Sequence, residues 1–177
     1  MSKSAVLSPV TDRRGRPLIT PMGREQLEAR ITDIRERRLA ELRPLLVEHE
    51  RDERHVAQFE KLLEEADTIE RFLAEATDIE VDPRRYDGRV VLGSRVLVEL
   101  PDGGRAWGIP VHPREAVLDD ERISAESPLG SAILGLESGG TVTVHAPTGP
   151  WQARVLEVDV AEIRRTRAPR PRQRSRG

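Results

Sequence analysis

Cysteine is absent from this chain of 177 residues, aromatic residues make up only 3% of it, and no apolar run approaches the ~20 residues that span a bilayer. Without cysteine there is neither a disulfide frame nor a thiolate metal site, and the composition suits a reducing compartment. Two tryptophans, two phenylalanines and one tyrosine are too few for a base-stacking platform or a large aromatic ligand pocket. The start of the chain lacks the apolar core of a signal peptide, so a cytoplasmic protein without membrane association is the expectation. A Gly-rich phosphate loop, a His-Glu-x-x-His zinc motif and a serine in a nucleophile setting are missing too, so no independent enzyme active site is expected.

What is present is charge, at 34% of residues beside 37% apolar ones, as in a soluble protein with an exposed helical part. The net charge of −2 is unevenly spread: residues 164–177 hold seven arginines and no acid, and setting those seven positive charges aside leaves −9 on the rest. This tail, with Arg164, Arg165, Arg167, Arg170, Arg172, Arg174 and Arg176, has prolines and no periodicity, and is expected to be disordered. It could grip nucleic acid or an acidic surface, or be a solvated terminus with no target. Residues 1–17 are also read as a flexible segment, polar to about Arg16.

Between them, residues 18–80 carry helical periodicity. Thr20 can cap a helix whose first position is Pro21. His55, Phe59, Leu62, Ala66, Ile69, Leu73 and Ala76 alternate in steps of four and three, the seam of a coiled coil. Leu27, Ile31 and Ile34 form a second seam, which Leu39, Leu42, Leu46 and His49 resume after a longer step, as a stutter would produce. Pro44 should kink that arm unless the helix begins again there. Pairing of the seams places the fold-back near Glu50 to Asp52, although the absence of glycine and proline there leaves one straight helix paired in a coiled-coil dimer as the alternative to a monomeric hairpin. The acids Glu48, Glu50, Asp52 and Glu53 cluster at this tip, with Arg51 and Arg54 beside them. Their bland reading is a solvated acidic turn, and His49 and His55 read as interface histidines rather than metal ligands.

Residues 81–163 read as a β-rich half. Strands are expected over 89–100, 141–146 and 151–158, the last two forming an antiparallel pair joined through Pro147-Thr148-Gly149-Pro150. Ser127 as cap, Pro128 at the first position and Gly135 as terminator mark a short helix between them. Leu129, Ile133 and Leu134 on that helix serve either an apolar docking patch or the core, and Trp107 and Trp151 should pack in or beside the β half. The fold class is therefore α+β.

The run Ile123-Ser124-Ala125-Glu126-Ser127-Pro128-Leu129, with Ala132, Leu134 and Gly135, the Val-rich strands, Pro147-Thr148-Gly149, Thr20-Pro21-Met22-Gly23 and Arg43-Pro44, resembles the bacterial Gre-type transcription elongation factors. The resemblance implies an N-terminal antiparallel coiled-coil hairpin and a C-terminal antiparallel β domain of the FK506-binding-protein (FKBP) type with a short helix. It further implies RNA polymerase as partner, reached through the secondary channel, with Ser127, Pro128, Leu129, Ile133 and Leu134 as docking candidates, and association with DNA through polymerase. Cleavage-stimulating members use tip acids to help the polymerase hold a second Mg²⁺; here Asp52 and Glu53, with Glu50 and Glu48 as neighbours, would approach that ion, and the protein would have no cofactor of its own. Those members carry a Gly-Asp-Leu-x-Glu-Asn-Ala-Glu-Tyr type motif, whereas this chain has Glu50-Arg51-Asp52-Glu53-Arg54-His55-Val56-Ala57. The expected function is regulation of elongation or initiation without stimulated RNA cleavage. A diverged cleavage stimulator, and a binding module resembling nucleoside diphosphate kinase regulators with a much shorter hairpin, are the alternatives.

Overall fold

The computed structural model describes residues 10–47, 52–81 and 87–160. The chain enters through a short strand β1 (Leu18–Ile19) and turns into α1 (Pro21–Thr32), whose cap is the Thr20 hydroxyl accepting the Gly23 N–H at 2.9 Å. Helix α1 runs into a π-helical segment, Asp33–Arg38, then α2 (Leu39–Leu42) and a 3₁₀ turn, Pro44–Leu46. The long return helix α3 (Glu53–Glu75) ends at β2 (Thr77–Asp78), which pairs in parallel with β1. Arg24 closes the root by bonding Asp78 Oδ1 at 2.6 Å and the carbonyls of Leu73 and Ala76 at 3.1 and 2.9 Å, which satisfies acceptors left open at the end of α3.

The two arms pair within one chain. Ile34, Leu39, Leu42, Leu62 and Ala66 form one buried cluster, and Ile19, Leu27, Ile69 and Phe72 another nearer the root. Ion pairs flank the seam, from Arg30 to Glu65 at 2.8 Å and from Arg35 to Asp67 and Glu70 at 3.0 and 2.8 Å. The longer step in the first seam has a local cause. Ile34 and Leu39 are five residues apart, the Leu39 N–H donates to the Ile34 carbonyl, and the π turn thereby keeps both side chains on the buried face. Pro44 ends the α-helical ladder and opens a 3₁₀ turn, so the helix begins again there instead of continuing with a kink. Where the seam of α3 was expected to run through Leu73, the residue buried beside Ile69 is Phe72, and Leu73 is half-buried.

The β half is one five-stranded sheet in the order β5–β4–β3–β7–β6. Its strands are β3 (Arg95–Glu99), β4 (Arg105–Val111), β5 (Arg122–Ser124), β6 (Thr141–Ala146) and β7 (Gly149–Asp159). Inward residues of β3, β6 and β7 alternate, and Val96, Val98, Val144, Ala153 and Val155 bury Ile133 of helix α4 (Pro128–Ile133) against them. The Ser127 hydroxyl caps α4, accepting the Gly130 N–H at 3.1 Å.

Four expectations need correction. The sheet is mixed, because β5 runs parallel to β4. Residues 89–94 are not strand: Arg89 makes a lone bridge to Glu137, and Gly93 turns the chain with φ +78. Strands β4 and β5 were not expected, since β4 carries Gly108 and Pro110 and has four consecutive buried residues at its end instead of alternation. Residues 10–17, assigned to a flexible segment, form a turn closed by a Thr11–Pro17 bridge, with Val10 buried beside Ile79, Leu92, Ala125 and Val160.

Candidate functional site

Two places carry the candidate residues, the free end of the hairpin and helix α4, and a joint links them. At the free end, the described arms stop at Val47 and resume at Asp52, while Glu48, His49, Glu50 and Arg51 lie outside the described residues. Asp52 and Glu53 are both exposed. Asp52 is the N-cap of α3, its Oδ1 accepting the Arg54 N–H at 2.9 Å, and its backbone is extended, with φ −75 and ψ 114. Its carboxylate is thus folded back onto the positive end of the helix dipole, where an anion is stabilised and a cation is disfavoured. Glu53 occupies the first helical position. The two acids are therefore neighbours in the chain, with one oxygen of Asp52 engaged at the helix end. Val47 at the end of the first arm is 82% exposed. His55 is half-buried, and among the described residues no three His, Asp or Glu side chains gather as a metal site.

On α4, Pro128 is exposed, Ser127 is spent on its cap, and Leu129 is half-buried against the sheet core. Ile133 is fully buried, which takes it out of any docking patch, and Leu134 is half-buried where two clusters meet. A six-residue helix laid on a sheet buries its apolar side there, leaving its first turn as the accessible part. Trp107, on the other side of the sheet, lies under the Arg95 guanidinium at 4.4 Å, and Trp151 is partly buried against the core. The arginines from Arg164 to Arg176 lie outside the described residues.

The joint between hairpin and sheet is built by the segment following β4, and none of its members on that side was singled out from sequence. Glu115 is fully buried and accepts the Thr20 N–H on Oε1 at 3.1 Å and the Thr20 hydroxyl on Oε2. Burial pushes its carboxyl above the usual carboxylate range, against the opposing pull of the Thr20 hydrogen bonds and Arg122. The His112 ring packs against Phe72 of α3, tilted by 37° with centroids 4.7 Å apart, and burial pushes the imidazole below its ordinary value. Leu118 packs with the root cluster. An open groove of about 1230 Å³ runs along this junction, between α1, α3 and residues 112–118. Gly23 inside a helix was the signal available for the joint, because glycine disfavours helix and is tolerated there where something approaches closely.

The family model for the GreA/GreB C-terminal region of transcription elongation factors matches residues 85–160. GreB of Pseudomonas aeruginosa is 32% identical over 153 residues, covering 82% of this chain and 91% of that protein. GreA of Chloroflexus aurantiacus is 39% identical over 92 residues, and the match spans 51% of this chain and 57% of that GreA. Among solved structures, the GreA factor homolog 1 (Gfh1) protein of Thermus thermophilus is 30% identical, covers 80% of this chain and 97% of its own, and superposes with a TM-score of 0.36. Through its near full-length likeness to a GreB and the match of its β half to the C-terminal region, this chain belongs to the GreA/GreB family of transcription elongation factors.

Proposed function

We propose that this protein binds RNA polymerase, enters its secondary channel with the hairpin and modulates elongation or initiation without stimulating RNA cleavage. The observation that carries this reading is the tip. Asp52 caps α3 through Oδ1, and the acidic motif of the cleavage-stimulating members is replaced by Glu50-Arg51-Asp52-Glu53-Arg54. The hairpin would then occupy the channel or compete for it, and the metal chemistry stays with the polymerase. The five-stranded sheet with α4 on its inner face supports an FKBP-type docking domain at the channel rim, with Pro128 and the first turn of α4 as the accessible contact. In this reading the protein works in the cytoplasm as a monomer, with no active site and no cofactor of its own.

The test is RNA length over time in purified, backtracked polymerase complexes supplied with Mg²⁺ and this protein. No acceleration, with binding confirmed in the same sample, is expected. Faster shortening would overturn the non-cleaving reading in favour of a stimulator, and Asp52→Ala or Glu53→Ala should then abolish it while leaving binding intact. The reading as a nucleoside diphosphate kinase regulator with a short hairpin is disfavoured by the 23 residues of α3.

A further inference from the structure

The hairpin root is anchored to the β half by apolar contacts: Leu18 and Ile79 with Val10, Leu92, Ala125 and Val160, and Leu118 with Leu27, Ile69 and Phe72. Such contacts are non-directional and tolerate sliding and rotation. Glu115 differs in kind. Its carboxylate takes two hydrogen bonds from one residue, the N–H and the hydroxyl of Thr20, 95 positions away. The same hydroxyl accepts the Gly23 N–H at 2.9 Å, so the bond from the β half continues into the first turn of α1. A Cβ at Gly23 would overlap the Glu115 carboxylate, so that close approach depends on glycine.

We propose that Glu115 is a positioning residue that sets the direction in which the hairpin leaves the β half, acting through Thr20 and Gly23 as a latch against pivoting about the root. A pair of bonds fixed to both polar groups of one cap residue defines an angle as well as a distance. Leverage makes the angle matter. A helix the length of α3 is ~34 Å at 1.5 Å per residue, so a pivot of about 10° at the root displaces the tip by ~6 Å. The consequence for polymerase rests on the function proposed above, whereas the pivot itself does not.

The test uses the full chain, whose lack of cysteine allows clean spin labelling at Val47→Cys, near the tip, and Thr143→Cys, exposed on β6. Dipolar spectroscopy on this parent should give a single narrow distance distribution. Glu115→Ala should broaden or shift it by several ångströms with helix content unchanged, and Glu115→Gln, which keeps an acceptor for the Thr20 N–H, should restore much of the narrow peak. Gly23→Ala provides an independent reading, because it pries the latch open with the carboxylate intact. It should broaden the distribution in the same way even where Glu115→Ala fails to fold. Unchanged narrow distributions in the folded variants would overturn the proposal. In polymerase assays the latch-open variants should bind at unchanged concentrations but reach a smaller maximal effect. A parent without any effect on polymerase would sink the functional reading and leave the distance result standing.

Discussion

Single side chains at the helix starts carry much of the local definition of this protein. Ser127 and Thr20 both satisfy first-turn amides, and their loss should be unequal. Ser127→Ala removes one cap bond and should cost ~1 kcal/mol in denaturant unfolding. Thr20→Ala removes the same kind of cap and also strips Glu115 of its hydroxyl partner inside the protein, so it should cost clearly more. Equal losses would mean that the Thr20–Glu115 bond adds nothing to stability. Both caps were legible in the sequence because a cap acts within three residues of itself. Glu115 was not, since nothing in the stretch His112-Pro113-Arg114-Glu115-Ala116 says that its carboxylate leaves water.

Elements show a different division. The seam of α3 follows from heptad spacing, which is a property of the chain itself, whereas the pairing of the two arms within one chain needed the structure. Leu62 and Ala66 sit at the centre of the paired arms, and Leu62→Ala should cost about 2–5 kcal/mol by thermal or chemical unfolding. The π segment yields a sharper expectation. Removing the exposed Glu36 brings Ile34 and Leu39 to a spacing of four, which an α-helix accommodates, so the deletion should be mild. Removing Glu64 from α3, where no π turn can absorb it, turns Phe59 and Leu62 about 100° away from Ala66 and Ile69 and should be severe. Melting temperatures of the two deletion variants decide it; equal damage would mean that the π turn is not slack in the register. The longer step was visible in sequence, but whether it becomes a stutter in a supercoil or a π turn depends on the arm it packs against.

At the scale of the whole molecule the joint contributes two opposed responses to pH. Glu115 has a raised carboxyl, so its contribution is fully present below the ordinary carboxylate range, near ~4.3, and is lost as pH rises through its folded value. His112 is lowered, so its contribution is present above ~6.5 and is lost as pH falls through its folded value. His112→Phe keeps the ring against Phe72 and removes the second loss. The variant should therefore gain on the parent in thermal unfolding as pH drops from neutral towards 5, and Glu115→Gln should gain on it as pH rises from 4 to 7. Parallel pH profiles for parent and variants would refute the burial cause assigned to both shifts.

The sequence by itself determined what is local or periodic: the α+β class, the heptad seams of both arms, both capped helix starts, the β6–β7 pair and the run of residues that resembles Gre factors. These rest on spacing within a few residues, and no distant partner is needed to read them. Only the tertiary structure decided the mixed sheet with β5 beside β4, the burial of Ile133 under the sheet, the packing of residues 10–17 and the meeting of Glu115 with Thr20. Each of these joins segments far apart in the chain, and desolvation or pairing at such contacts is a property of the packed arrangement rather than of any stretch of sequence.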